Sequence, residues 1–115
     1  MKLIIAIIQP TRLDAVQKSL LKIGVTRMSV CDAHGYARQR GQTEMYRGHE
    51  YKTNLLRKIA LEIAVNDDFL ERTIDVLIEI GRTSTEGNFG DGKIFVLPMD
   101  EAIQIGGEER GQGAI

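Results

Sequence analysis

One cysteine, two prolines, two histidines and no long apolar run bound what this 115-residue chain can be. A lone Cys31 forbids an intramolecular disulfide and suits a reducing compartment, so a cytoplasmic protein is expected. The most apolar stretch, Leu3–Ile8, is far too short for a membrane span, and no signal-peptide cleavage pattern follows it. No direct membrane insertion is expected. Charge of neither sign dominates: 15 Lys and Arg oppose 16 Asp and Glu, for a formal net charge of −1, which leaves no electrostatic case for nucleic acid. No Ser/His/Asp or Cys/His arrangement stands out, and the acidic residues sit mostly at helix starts and on solvated faces, so no catalytic residue is expected. Cys31, His34 and His49 lack the paired spacing of a zinc site, and no metal site is expected from them. An apolar fraction of 43% fits one soluble domain, small enough that oligomerisation would help it.

What is present reads as two similar halves. Lys2–Gln9 is apolar on both alternating faces, Leu3, Ile5 and Ile7 on one and Ile4, Ala6 and Ile8 on the other, and Pro10 ends it. Thr11 and Asp14 form a capping-box pattern before a helix that puts Leu13, Val16, Leu20 and Ile23 on one face, closed by Gly24. Val25–Cys31, continuing as far as Tyr36, reads as the second strand and Ile59–Val65 as the third. Asn66-Asp67-Asp68 supplies a cap for a helix over Phe69–Ile80, with Gly81 as its stop. Lys93–Leu97 is the fourth strand, ended by Pro98, and Ala102–Ile105 fits a short extra one. A shift of 57 residues lays Leu13 on Leu70, Leu20 on Leu77 and Gly24 on Gly81. The whole predicts an α+β, ferredoxin-like βαββαβ sandwich in one domain over residues 1–115. Two helices cover one sheet face, and the apolar residues of the other need a partner surface, most simply copies of the same chain in closed symmetry.

Two polar segments interrupt this frame. Residues 35–54, GYARQRGQTEMYRGHEYKTN, hold almost nothing that could enter a core, and a polar loop of that length in a small domain is usually functional or disordered. Mobility without ligand is expected there and in the glycine-bearing tail 106–115. Residues 82–92 form a second loop ending Gly87-Asn88-Phe89-Gly90-Asp91-Gly92-Lys93, which satisfies G-x-x-x-x-G-K. Ile94 stands where a P-loop needs Ser or Thr, and a strand follows instead of a helix, which excludes a P-loop NTPase. Glycine amides with Lys93 could still hold an anion; a plain tight turn before a strand fits the same residues.

With these residues in view, the chain resembles the PII family of nitrogen-regulatory signal-transduction proteins, as a divergent member. The resemblance rests on GYARQRGQTEMYRGHEY (Gly35–Tyr51), Lys58 before the third strand, GDGKIFV (Gly90–Val96) and the terminal Ala-Ile. It implies a homotrimer that binds ATP or ADP as effectors in clefts between subunits, with no permanently bound cofactor and no enzymatic role. Residues 35–54 would be the T-loop, which docks on a membrane transporter or a metabolic or regulatory enzyme, and 82–92 the B-loop, which holds phosphates. Carried over, Gly35, Tyr36, Ala37, Arg38 and Gln39 line the nucleotide, Gly90, Asp91, Gly92 and Lys93 meet its phosphates, and Ile7, Ser29 and Ala64 match adenine-side positions. Gln39 and Lys58 match the residues that engage Mg²⁺ and 2-oxoglutarate, and Tyr51 matches a tyrosine that some members have uridylylated.

The chain departs from the family pattern at several of these points. Gln104 and Gly106 stand where most members have basic residues that reach phosphates from the neighbouring subunit, Ala37 replaces a glycine, and Gln9 replaces a lysine. Glu86-Gly87-Asn88 replaces Thr-Gly-Lys in a B-loop about three residues longer than usual. His49 occupies the place of a serine that some members phosphorylate. The alternatives kept beside a PII-like regulator are a metal-tolerance trimer of the same fold, using Cys31 and the histidines, and a slow ATPase.

Overall fold

Alternation of Ile, Leu and Ala in the first seven strand residues sets the architecture. A computed structural model describes residues 1–36, 44–46, 49–51 and 55–115. In order, the elements are β1 (Lys2–Ile8), α1 (Leu13–Lys22), β2 (Ser29–Tyr36), β3 (Glu44–Tyr46), β4 (His49–Tyr51), β5 (Leu55–Val65), α2 (Asp67–Gly81) and β6 (Gly92–Pro98). Four strands form an antiparallel sheet in the order β2-β5-β1-β6, with Ile7 opposite Ala60 and Lys93, and Ile5 opposite Glu62 and Phe95. This is the expected α+β, ferredoxin-like arrangement.

One sheet face is closed. Ile4, Ala6 and Ile8 of β1 and Ile59, Leu61, Ile63 and Val65 of β5 are buried with Val16 and Leu20 of α1 and Leu77 of α2. Each such large aliphatic side chain contributes about 1.5–3 kcal/mol on burial. Among the described residues no helix covers the opposite face. Leu3, Ile5 and Ile7 are only half-buried there, and their cross-strand neighbours Leu97 and Phe95 are 41% and 49% exposed.

Several element boundaries differ from expectation for identifiable reasons. The second strand starts at Ser29 because Val25 is committed to closing α1: Gly24 sits at φ 91°, its N–H donates to the Leu21 carbonyl, and the Val25 N–H donates to that of Leu20. The Thr11–Asp14 capping box does not form. Pro10–Arg12 make a 3₁₀ turn, Arg12 takes the N-cap position, and Asp14 pairs with Lys18 at 3.0 Å instead. Asn66 does occupy the N-cap of α2, but its side chain donates to the Gln112 carbonyl at 3.3 Å rather than capping the helix. Gly81 ends α2 without a left-handed turn; the Arg12 guanidinium donates to the Ile80 carbonyl at 2.8 Å and closes that end.

β5 begins at Leu55, earlier than its apolar pattern suggests, because its first residues pair with the polar half of β2 beyond the core. Lys58 therefore lies inside this strand, not before it. The long 35–54 segment is less featureless than its composition implies: Gly35 and Tyr36 finish β2, and β3 and β4 pair antiparallel with Met45 opposite Glu50. In place of an extra strand over Ala102–Ile105 there is a single bridge, Ile103 to Arg110, and Gly111–Ala114 form a 3₁₀ turn within the glycine-bearing tail.

Candidate functional site

The loop between α2 and β6 is built around one carboxylate. Asp91 accepts hydrogen bonds from the Thr83 hydroxyl (2.7 Å), the Thr83 N–H (3.2 Å) and the Asn88 N–H (2.7 Å), and the Asn88 amide in turn reaches the Thr83 hydroxyl at 2.5 Å. Partial burial would raise the Asp91 pKa, but the hydrogen bonds from Asn88 and Thr83 and the nearby charge of Lys58 outweigh it and hold the carboxyl below its ordinary value. Gly92 lies so close to β1 that a Cβ there would stand 1.7 Å from the Ile7 carbonyl oxygen, at φ 134°. Only glycine fits. Lys93 follows at once, exposed, in the row that runs through Ile7 and Ala60 to Cys31 on the open face.

A second set of polar groups meets this loop from the sheet. Lys58, 7% exposed, donates its ammonium to the Gly90 carbonyl at 2.6 Å, and the Gln9 side-chain amide donates to the same oxygen at 2.8 Å. The Lys58 stem crosses Gly35, where an added Cβ would lie 3.3 Å from its Cγ. The start of the 35–54 segment, the buried ammonium and the glycine loop are thus in mutual contact. An ammonium, an exposed lysine and glycine backbone at positive φ (Gly87, Gly90 and Gly92) form a surface chemically suited to anions.

The residues expected to form a site divide into two groups. Ile7, Gly35, Lys58 and Gly90–Lys93 gather at one end of the open face. Ser29 and Ala64 lie at the other, bordering a hollow of about 280 Å³ with Glu62 and Ile115. Ala64 lies four positions along β5 from Ala60, which is beside Ile7, a span of roughly 13 Å. A cavity of about 500 Å³ borders the first group: Ile7, Asp91, Gly92 and Lys93 line it together with Leu77 and Gly81 of α2. Ala37, Arg38 and Gln39 lie outside the described residues, and of Tyr36 and Tyr51 only the backbone, in β2 and β4, is described.

Comparison with known proteins decides the family. The family model described as "Nitrogen regulatory protein P-II" matches residues 1–109. The chain belongs to the nitrogen regulatory protein P-II family. It is similar to nitrogen regulatory protein GlnK1 of Methanosarcina mazei, 51% identical over 115 residues that cover 100% of this chain and 97% of the relative. Nitrogen regulatory protein P-II of Klebsiella oxytoca and P-II 1 of Escherichia coli are each 44% identical over the full length of both chains. These are names of regulatory proteins, and among the described residues no helix is long and apolar enough to cross a membrane.

Against that P-II background, the distinctive residues have visible surroundings. Arg82 lies across Gly87 within the loop, 3.5 Å from where its Cβ would be, and Arg110 is bound by both carboxylate oxygens of Glu101 at 2.6 and 2.8 Å. Cys31 and His34 are both exposed on β2, but an odd spacing puts them on opposite faces, and the described residues contain no cluster of three metal-ligating side chains. Sequence reasoning missed Thr83 and Asn88 as organisers of the loop and Gln9 as a contact to it. An Asn three residues before an Asp among glycines is the turn signal that could have found the first pair.

Proposed function

We propose that this P-II protein is a cytoplasmic homotrimer that senses adenine nucleotides in clefts between subunits and acts on a nitrogen- or carbon-metabolism enzyme or a membrane transporter through residues 35–54. The observation that carries the reading is the division of the site residues between two ends of one open apolar face. On a single protomer each end borders its own hollow, one beside Ile7 and Gly92 and the other beside Ser29 and Ala64. Stacked against a neighbour, the glycine-loop end of one protomer meets the Ser29–Ala64 end of the next, and the exposed Phe95 and Leu97 gain cover.

In this reading Gly90, Gly92 and Lys93 bind phosphates, Asp91 shapes the loop they belong to, and Ile7, Ser29 and Ala64 flank the base. Gly35–Gln39 line the nucleotide from the T-loop side. Lys58, with Gln39, engages 2-oxoglutarate beside nucleotide-bound Mg²⁺; the buried ammonium fits a carboxylate partner. Tyr51 is the modification site. The protein is a regulator, not an enzyme.

The test is a calorimetric titration with ATP, ADP and AMP, with and without Mg²⁺ and 2-oxoglutarate, alongside light scattering. Trimers that bind ATP or ADP, with Lys93→Ala weakening both at least tenfold, are the expected result. A stable monomer at micromolar concentration, or unchanged affinity in Lys93→Ala, overturns it.

A further inference from the structure

We infer that Gln9 is a positioning residue: with Lys58 it forms a two-donor clamp on the Gly90 carbonyl, and it keeps that carbonyl satisfied when Lys58 turns to an acid ligand. The inference rests on the reading that a small dicarboxylate pairs with Lys58. A carbonyl oxygen has two lone pairs, and here both have donors, the ammonium at 2.6 Å and the Gln9 amide at 2.8 Å. The direction of the Gln9 amide follows from chemistry, since its own oxygen cannot pair with a carbonyl. Gly90 sits at φ 101°, and the residue after Gln9 is Pro10, whose ring fixes the chain at the end of β1.

Lys58 is buried, and its stem lies over Gly35, so its ammonium is wedged between the start of the 35–54 segment and the glycine loop. An acid approaching from that segment competes with Gly90 for the same ammonium. Were Lys58 the sole donor, its departure would leave a part-buried carbonyl bare and free the loop that precedes Lys93. Gln9 removes that penalty. The loop stays in place for phosphate while the ammonium is lent to the carboxylate, so the two ligands are compatible.

Two measurements test this. In the ligand-free protein, amide hydrogen exchange over 87–92 is read for Gln9→Met, Lys58→Met and the double variant. Because either donor suffices, the double variant is expected to exchange about tenfold faster than the product of the single effects. Effects that simply multiply, or Gln9→Met alone matching the double variant, overturn the clamp. In the second, 2-oxoglutarate is titrated with saturating MgATP. Gln9→Met is expected to weaken 2-oxoglutarate about tenfold more than it weakens ATP, the size of leaving a buried acceptor unpaired, and Gln9→Lys, which returns a donor, to recover it.

Equal loss for both ligands, or no recovery, overturns the positioning role. This arm needs no change at buried Lys58. If the unmodified protein binds neither ATP nor ADP, it is the nucleotide-sensing reading that fails, and the exchange measurement still decides the clamp. If nucleotide binds but 2-oxoglutarate does not, the lending step is refuted.

Discussion

At Gly92 a single methyl decides whether the loop 82–92 can sit against β1. Its Cβ would overlap the Ile7 carbonyl, and φ 134° is closed to other residues, so Gly92→Ala must push the loop outward. Gly92→Ala should lower stability by at least about 1–3 kcal/mol. Gly106→Ala, with nothing within 4 Å of the new carbon, should stay within about 0.5 kcal/mol. Chemical denaturation of both variants checks this. Asp91 makes a pH-dependent contribution to the same loop. Its folded pKa is depressed, so its stabilisation is present above the ordinary carboxylate value of 3.8 and lost as pH falls through the lower folded value. The stability gap between the unmodified protein and Asp91→Asn should be constant near neutrality and shrink below about pH 4. A gap that persists into acid would mean that the carboxylate charge has no part in holding Thr83 and Asn88.

The two helices end by different devices although their sequences end alike. LLKIG and LIEIG both stop at glycine, yet Gly24 takes φ 91° and is bracketed by Val25, whereas Gly81 stays in its helix and Arg12 caps the last turn. Gly24→Ala should therefore cost about 1 kcal/mol, while Gly81→Ala should be neutral or slightly stabilising. Its new methyl would meet Ile8 at 3.9 Å, an ordinary contact. Thermal denaturation separates the two. The same pair shows what the sequence could disclose. Apolar alternation in β1 and the inner part of β5, and the helical stripes of α1 and α2, follow directly from burial and were legible. Ends set by a distant partner were not: Arg12 is remote in sequence from Ile80, and Leu55–Lys58 extend β5 only because β2 lies alongside. Capping at Thr11 failed because Pro10 had already begun a tighter turn.

Across the whole molecule, the glycine-loop motif was legible because its residues are contiguous, while the Gln9–Gly90–Lys58 contact joins three separate segments. In the proposed nucleotide-sensing role, ligand preference depends on this larger scale. Discrimination between ATP and ADP needs positive charge at the terminal phosphate, and this chain offers Gln104 and Gly106 where cations are usual in P-II proteins. Arg110 is already engaged, because both carboxylate oxygens of Glu101 hold one edge of its guanidinium and raise its pKa. Arg82 is folded over Gly87 and donates to the Thr85 carbonyl at 3.4 Å, inside the loop's own structure. Each missing charge-assisted contact forfeits about 1.5–3 kcal/mol, so ATP should bind no more than slightly better than ADP, or less well. Gln104 sits on a hairpin whose backbone is already fixed, its N–H donating to the Glu109 carbonyl at 3.1 Å, so an arginine there would project without reorganising the chain. Gln104→Arg and Gly106→Arg, singly and together, should shift preference toward ATP by about tenfold per cation. Because coupling between two ligands is reciprocal, any gain in ATP affinity caused by 2-oxoglutarate must equal the gain in 2-oxoglutarate affinity caused by ATP. A double titration measures both. If ATP already binds far more tightly than ADP, and neither arginine improves it, the missing cations play no part in the choice of nucleotide.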